Sequence, residues 1–338
     1  MKIEREHLLN LLRMLTPGLA SRAIIEQSGD FVFESGRVHS FNDEVVCSVD
    51  SPIDVTMAVP SGPLLGLLEK MPDKEVEVTP EDSKLLIRGK QRRGTIRVSN
   101  DIILPINEVE QPDKWTKMPK DLTEAIRIGG MCSGTDASQA VLTCVHIHPE
   151  RVESCDNFQL CRYPIKTGVK ESVLVRYSSL TPMFSIPMTA IAVTPSWLYF
   201  KNDSGLTMGF RRLVEQYPGD DIGEVLSFTG SPAKFPDSAG DVLARCEVFS
   251  KENLDANLVT VVLKSGKVSL IGRGPSGWYE ERLKAGYSGP DASFSIRPSL
   301  LVELMKKADV CQVSDGKLKV ETDQMSYVVC TGKAVDSQ

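Results

Sequence analysis

The sequence predicts an α+β protein made of three similar domains in tandem. A unit of strand, Pro- or Ser-led helix and two short strands occurs three times, starting at Ala58, Leu174 and Phe294, at intervals of 116 and 120 residues. That spacing is too long for a solenoid repeat and is about the size of one small domain. Helix patterns are few and far apart, with alternating apolar strands between them, which is an α+β layout rather than βαβ winding. A length of 338 residues also suits two or three domains.

In the first copy, Ala58-Val59-Pro60-Ser61 leads into Leu64, Leu65, Leu67, Leu68 and Met71, followed by strands at Glu75–Val78 and Leu85–Ile87. The third copy matches it: Phe294–Ser299 leads into Leu300, Leu301, Leu304 and Met305, then Gln312-Val313 and Leu318–Val320. The second is weaker, with Val173–Val175, Ser178–Leu180, Ala190–Val193 and Trp197–Phe200. Val78-Thr79-Pro80 and Val193-Thr194-Pro195 fall at matching points of the first two copies. Each domain should also open with a helix. Leu8, Leu11, Leu12 and Leu15 recur at helical spacing before the Pro17-Gly18 stop. The corresponding helices are expected from Asp121 to about Met131 and from Ala239 to about Glu252. Further strands are expected at Phe31–Phe33, Val45–Val49 and Val259–Leu263. Polar or Pro-rich linkers are expected at Gln111–Lys114 and Ser231–Pro236, dividing the chain into 1–113, 114–230 and 231–338. The last residues, Asp336-Ser337-Gln338, are expected to fray.

Several function classes are excluded. Hydrophobic content of 41% and charged content of 25% are those of a soluble globular protein, and no apolar run approaches the roughly 18 residues of a membrane span. The charged start Met1–Glu6 reads against a secretory signal. None of the eight cysteines forms a C-x-x-C pair, so buried free thiols in a reducing cytosol are expected. His146-x-His148 puts two imidazoles on one strand face without a third ligand at metal spacing. Gly272–Gly277 is glycine-rich but lacks a Walker lysine, and reads as a loop. Gly205–Gly209 has no central serine, so it is not a nucleophile elbow. No catalytic triad, paired carboxylate or nucleotide motif stands out, and neither an enzyme nor a cofactor is expected.

Several segments, in order and spacing, resemble the bacterial DNA polymerase III beta sliding clamps. They are Met1–Leu9, Pro60–Val98, Cys155-Asp156-Asn157-Phe158-Gln159-Leu160 with Pro164-Ile165, Arg211–Pro218, and Tyr327-Val328-Val329. The chain is shorter and divergent, as a phage- or plasmid-encoded version would be. The resemblance implies three tandem DNA-clamp domains, each of two helices packed on antiparallel sheets. Two chains would associate head to tail as a homodimer, closing a six-domain ring lined by helices. Such a ring holds duplex DNA without regard to sequence and tethers a replicative polymerase as its processivity factor. It has no active site and works in the cytoplasm, without a membrane.

The resemblance also implies site residues. Net charge is −6, but the predicted inner helices and their flanks carry a modest basic excess. The candidates for phosphate contact are Arg22, Arg13, Arg5, Lys120, Arg127, Arg176, Lys306 and Lys307, with Arg22 where the family has a DNA-contacting arginine. Weak phosphate contacts carry no sequence information and permit sliding. The Arg88–Gly94 run reads as a basic hairpin tip. A hydrophobic cleft that binds short apolar peptides of the polymerase and the clamp loader would comprise Cys155, Asn157, Phe158, Gln159, Leu160, Pro218, Ile222, Val328, Val329 and Cys330. Here Asn157-Phe158-Gln159 replaces the family's Gly-His-Arg, and Cys330–Ala334 replaces its apolar terminus, so a different peptide preference is expected. The dimer interface would use the Gly94–Val98 edge, with Ile96 and Val98, against Val248 and Phe249 of the third domain. The altered cleft leaves open a clamp-like scaffold or decoy that binds replication partners without encircling DNA.

Overall fold

A computed structural model describes residues 1–22, 24–253 and 257–334; the predicted frayed tail lies outside them. The chain separates into two compact units. The first comprises Met1–Arg127, Ile147–Pro149 and Lys166–Glu215, and the second Ile128–His146, Glu150–Ile165 and the chain from Gln216 onward.

The first unit holds two antiparallel sheets. A four-stranded sheet runs Lys2–Glu4, Glu75–Glu81, Lys84–Arg88, Arg93–Arg97, with the last at an edge. An eight-stranded sheet runs Met57–Pro60, Asp30–Glu34, Arg37–Phe41, Val45–Asp50, Thr207–Arg211, Trp197–Lys201, Ala190–Val193, Thr116–Lys117. Its middle joint pairs Val45–Ser48 with Thr207–Phe210, so one sheet takes strands from both sides of residue 113. The helices Arg5–Met14 and Ser61–Lys70 pack together and bury Leu8, Leu9, Leu11, Leu12, Leu64 and Leu68. Apolar residues at spacings of three and four are what place these leucines on one face. The Arg5 guanidinium crosses to the end of the second helix, where it donates to Leu68 O at 2.8 Å and Asp73 O at 3.0 Å. A cation at a helix C-terminus satisfies carbonyls that the helix itself leaves open.

The weak second copy has a physical cause. Its helix spans only Tyr177–Leu180 and tightens into a 3₁₀ turn over Thr181–Ser185. Pro182 has no N–H for an α-helical bond and cannot continue the helix.

In the second unit, strands run Cys144–His148, Arg151–Cys155, Gln159–Pro164, Ser326–Cys330, Lys317–Glu321, Cys311–Ser314, Ser231–Lys234, Gly286–Tyr287. A five-stranded sheet runs Gly277–Lys284, Lys267–Gly274, Val259–Lys264, Ala292–Ile296, Gly332–Lys333. The helices Ala239–Ser250 and Pro298–Lys307 pack on a core that includes Val242, Leu243, Cys246, Val261, Leu301 and Leu304. The Leu122–Gly129 helix falls within the expected span, and an unexpected helix covers Gly219–Leu226.

Two sequence expectations are corrected. Ser231–Lys234, read as linker, is a strand paired to Cys311–Ser314 and Gly286–Tyr287; the fixed φ of Pro232 is compatible with extended backbone. Within Gly272–Gly277, read as loop, Gly272 and Gly274 end one strand and Gly277 opens the next. Gly272 and Gly274 are needed because helix Ala239–Ser250 lies against them. A Cβ on Gly272 would stand 2.1 Å from Cys246 O, and one on Gly274 2.1 Å from Phe249 O. Seven cysteines are buried free thiols, whereas Cys330 is exposed.

Candidate functional site

The residues of the expected cleft come together in the second unit. The Arg151–Cys155 and Gln159–Pro164 strands form a hairpin, and the second strand pairs with Ser326–Cys330 in the register Gln159–Val329 and Leu160–Val328. The turn is fixed by Asp156, whose carboxylate accepts from the N–H groups of Phe158 (2.7 Å) and Gln159 (2.8 Å). An acidic side chain that bonds backbone two and three residues on is a standard way to hold such a turn. Cys330 N donates to Phe158 O at 2.7 Å, and the Tyr327 hydroxyl donates to the Gln159 side-chain oxygen at 2.7 Å.

These bonds leave Phe158 standing out of the surface, 40% exposed, with the Arg297 guanidinium 4.1 Å above its ring. Asn157 and Cys330 are exposed beside it, and Gln159 and Pro218 are half-buried. Leu160, Ile222, Val328 and Val329 are buried; the paired Leu160 and Val328 share one face of the sheet, whereas Val329 lies on the other, in the core with Cys161 and Tyr327. The contact surface is therefore narrow: an aromatic platform, a thiol and a guanidinium over an aliphatic base. Partial desolvation by its neighbours raises the thiol of the otherwise exposed Cys330 above its ordinary range, so it is uncharged at neutral pH.

Behind the cleft lies a charged network that sequence reading missed. Glu153 is fully buried. It meets Arg151 Nε at 3.0 Å, Arg162 Nε at 2.6 Å and His146 Nδ1 at 2.8 Å. Burial alone would raise this carboxyl, but His146 and the two guanidinium groups outweigh it and hold it below the usual carboxylate range. His146, noted in the sequence as half of a metal pair, thus stands beside a carboxylate. Its ring also packs on Tyr217, centroids 4.5 Å apart, and the Tyr217 hydroxyl donates to Cys155 Sγ at 3.5 Å. The network sets the position of Cys155 at the cleft floor. Tyr217 and Arg297 belong with the site; the first lay within the quoted Arg211–Pro218 segment and the second within the Phe294–Ser299 repeat, where it was read as part of the helix start.

The eight basic candidates divide sharply. Arg22 and Lys120 are exposed and have no ionic or hydrogen-bonding side-chain partner among the described residues. Arg13 pairs with Glu69 at 2.9 Å, Arg127 holds Glu124 through two bonds, and Arg176 pairs with Glu44. Arg5 caps the helix as described and also meets Glu6 at 2.8 Å. Lys306 lies 4.0 Å from Glu303 and remains 69% exposed. Lys307 is turned inward: its ammonium meets Glu303 at 2.9 Å and Met131 Sδ at 3.1 Å, and lies over the Tyr327 ring.

Of the expected interface residues, Ile96 is buried in its own sheet and Val98 is half-buried, its N–H donating to Ser83 O at 3.1 Å. Val248 is 66% exposed and Phe249 half-buried. Near them in the second unit, Trp278 is 60% exposed on the Gly277–Lys284 edge strand.

No protein-family model matches the chain, and no curated protein matches it. Solved structures do. The DNA polymerase III beta chain of Streptococcus pneumoniae superposes with a TM-score of 0.86 at 14% identity, covering 98% of this chain and 99% of that one. The DnaN sliding clamp of Bartonella birtlesii, bound to griselimycin, gives 0.85 at 14% identity with 99% of each chain covered. The beta subunit of Thermotoga maritima gives 0.83 at 13% identity, again with 99% of each covered. The chain therefore has the fold of the DNA polymerase III beta sliding clamps from end to end, at a sequence identity that shows the fold alone.

Proposed function

From that shared fold, we propose that the protein is a DNA sliding clamp, a non-enzymatic processivity factor. Two chains associate head to tail and enclose duplex DNA, and the Phe158 cleft tethers a polymerase and a loader through short apolar peptides. The observation that carries this reading is the match running over 98–99% of this chain and 99% of the solved clamps. In this reading the domains are 1–113, 114–230 and 231–338, with neighbouring domains sharing sheets. The work is done in the cytoplasm; among the described residues no helix is long and apolar enough to cross a membrane.

Enclosure turns repeated rebinding of a polymerase into an intramolecular event at high effective concentration. Arg22 and Lys120, exposed and unpaired among the described residues, are the leading phosphate contacts. The association would join the Arg93–Arg97 edge strand to the partner's Gly277–Lys284 edge strand. The first strand carries Arg93 and Arg97; the second carries Glu280 and Glu281 beside Arg282 and Lys284, with Glu280 paired to Arg282 and Glu281 to Arg245. The test is sedimentation together with retention after loading onto DNA. A clamp sediments as a dimer, stays on a closed circle and leaves a linear molecule by its ends. A monomer that never persists on circles overturns the reading.

A second reading, a scaffold or decoy that does not encircle DNA, is favoured by one observation. Six of the eight basic candidates already have carboxylate partners. The same experiment separates the two, because a decoy captures polymerase peptides but shows no topological retention.

A further inference from the structure

The first unit contains a cavity of about 480 Å³ that the clamp reading leaves unused. Its floor is the face of the eight-stranded sheet, and the register orders the side chains there into two rows. One row, directly paired across four strands, is polar: His39, Ser48, Thr207 and Lys201. The next is apolar: Phe41, Val46, Gly209 and Tyr199. Gly209 keeps this row low, since a Cβ there would stand 2.4 Å from Tyr199 Cε1 and 2.7 Å from Val46 Cγ1. The opposite wall is the segment carrying Ile106, Val109 and Trp115.

Most polar groups of the lining are committed. Arg37 donates to Ser48 Oγ at 2.7 Å and Asp50 Oδ1 at 2.5 Å. Glu34 accepts from Asn107 at 3.2 Å, and the Gln111 amide is bound to Val109 O. Burial, aided by Arg37, pushes His39 down to about 4, so the imidazole is neutral at physiological pH. What remains is Lys201, the one cation of the lining with no carboxylate partner among the described residues, its ammonium 5.8 Å from the Trp115 ring centre. The Thr207 hydroxyl is likewise without a partner among them.

We propose that this cavity binds a small planar aromatic anion, with its ring against Trp115 and Tyr199 and its carboxylate or phosphate on Lys201 and Thr207. Cavity size, an apolar wall and a few convergent polar groups are the features of small-molecule sites. The single uncommitted cation selects the charge of the ligand. The site does not depend on the sliding-clamp reading.

The full chain is titrated with 2-naphthoate and its neutral isostere 2-naphthamide, followed by calorimetry and by the Trp115 indole N–H resonance, assigned with Trp115→Phe. A ligand of this size in such a site binds naphthoate with a Kd on the order of 1 mM. Lys201→Met, at an exposed position that keeps the aliphatic stem, weakens naphthoate about 5-fold and leaves naphthamide unchanged. Saturable naphthoate binding that shifts the Trp115 resonance and loses its advantage over naphthamide in Lys201→Met supports the site. Absence of saturable binding, binding that leaves Trp115 unmoved, or indifference to Lys201→Met overturns it.

Discussion

At the scale of single residues, Glu153 and Phe158 have opposite roles in the cleft. Glu153 is a buried charge whose removal takes away the carboxylate that Arg151 and Arg162 share. Glu153→Gln should cost about 3 kcal/mol in urea denaturation. Its carboxyl lies below the ordinary range in the folded protein. The stability it contributes is therefore present above about pH 4.3, the unfolded value, and is lost as pH falls through the lower folded one. Denaturation midpoints between neutral and acid pH should fall more steeply for the wild type than for Glu153→Gln. Phe158 is instead exposed, so Phe158→Ala should change stability by less than about 1 kcal/mol. In the clamp reading it should weaken binding of a polymerase-derived peptide by about tenfold or more, read by fluorescence polarisation. Peptide affinity unchanged by the substitution would remove Phe158 from the site.

At the scale of elements, helices were the most legible part of the sequence because leucine spacing records which face is buried. Leu8, Leu11 and Leu12, and again Leu64 and Leu68, are among the buried residues of their helices, with Leu9 added to the first. Glycines were the least legible, because the same residue marks a turn, a gap or a close approach. Gly272 is a close approach to the helix backbone, and Gly66 has open space where a Cβ would go. Gly272→Ala should destabilise by about 1–3 kcal/mol through overpacking. Gly66→Ala, within helix Ser61–Lys70, should stabilise by about 0.5–1 kcal/mol through helix propensity. Thermal unfolding of both variants tests the pair; equal shifts would contradict the packing described. The Ser231–Lys234 strand was hidden for a related reason. Proline is a linker signal locally, while its pairing partners, Cys311–Ser314, lie about eighty residues away.

At the scale of the molecule, the proposed head-to-tail association makes a charge-reversal prediction. Arg93→Glu with Arg97→Glu should shift sedimentation toward monomer, and Glu280→Arg with Glu281→Arg should restore the dimer when the two variants are mixed. Failure of the reversed pair to re-associate would count against these edges as the interface. The order of segments along the chain determined the fold class and the clamp architecture, because periodicity and turn residues act locally and survive divergence to 14% identity. Only the tertiary structure decided which charges are free. Arg13 and Arg176 look like phosphate contacts in the sequence, yet their carboxylates lie 56 and 132 positions away. The buried network behind the cleft and the sharing of one sheet across residue 113 were decided in the same way. Ion pairs and strand pairings join residues remote in sequence, and no local pattern encodes who meets whom.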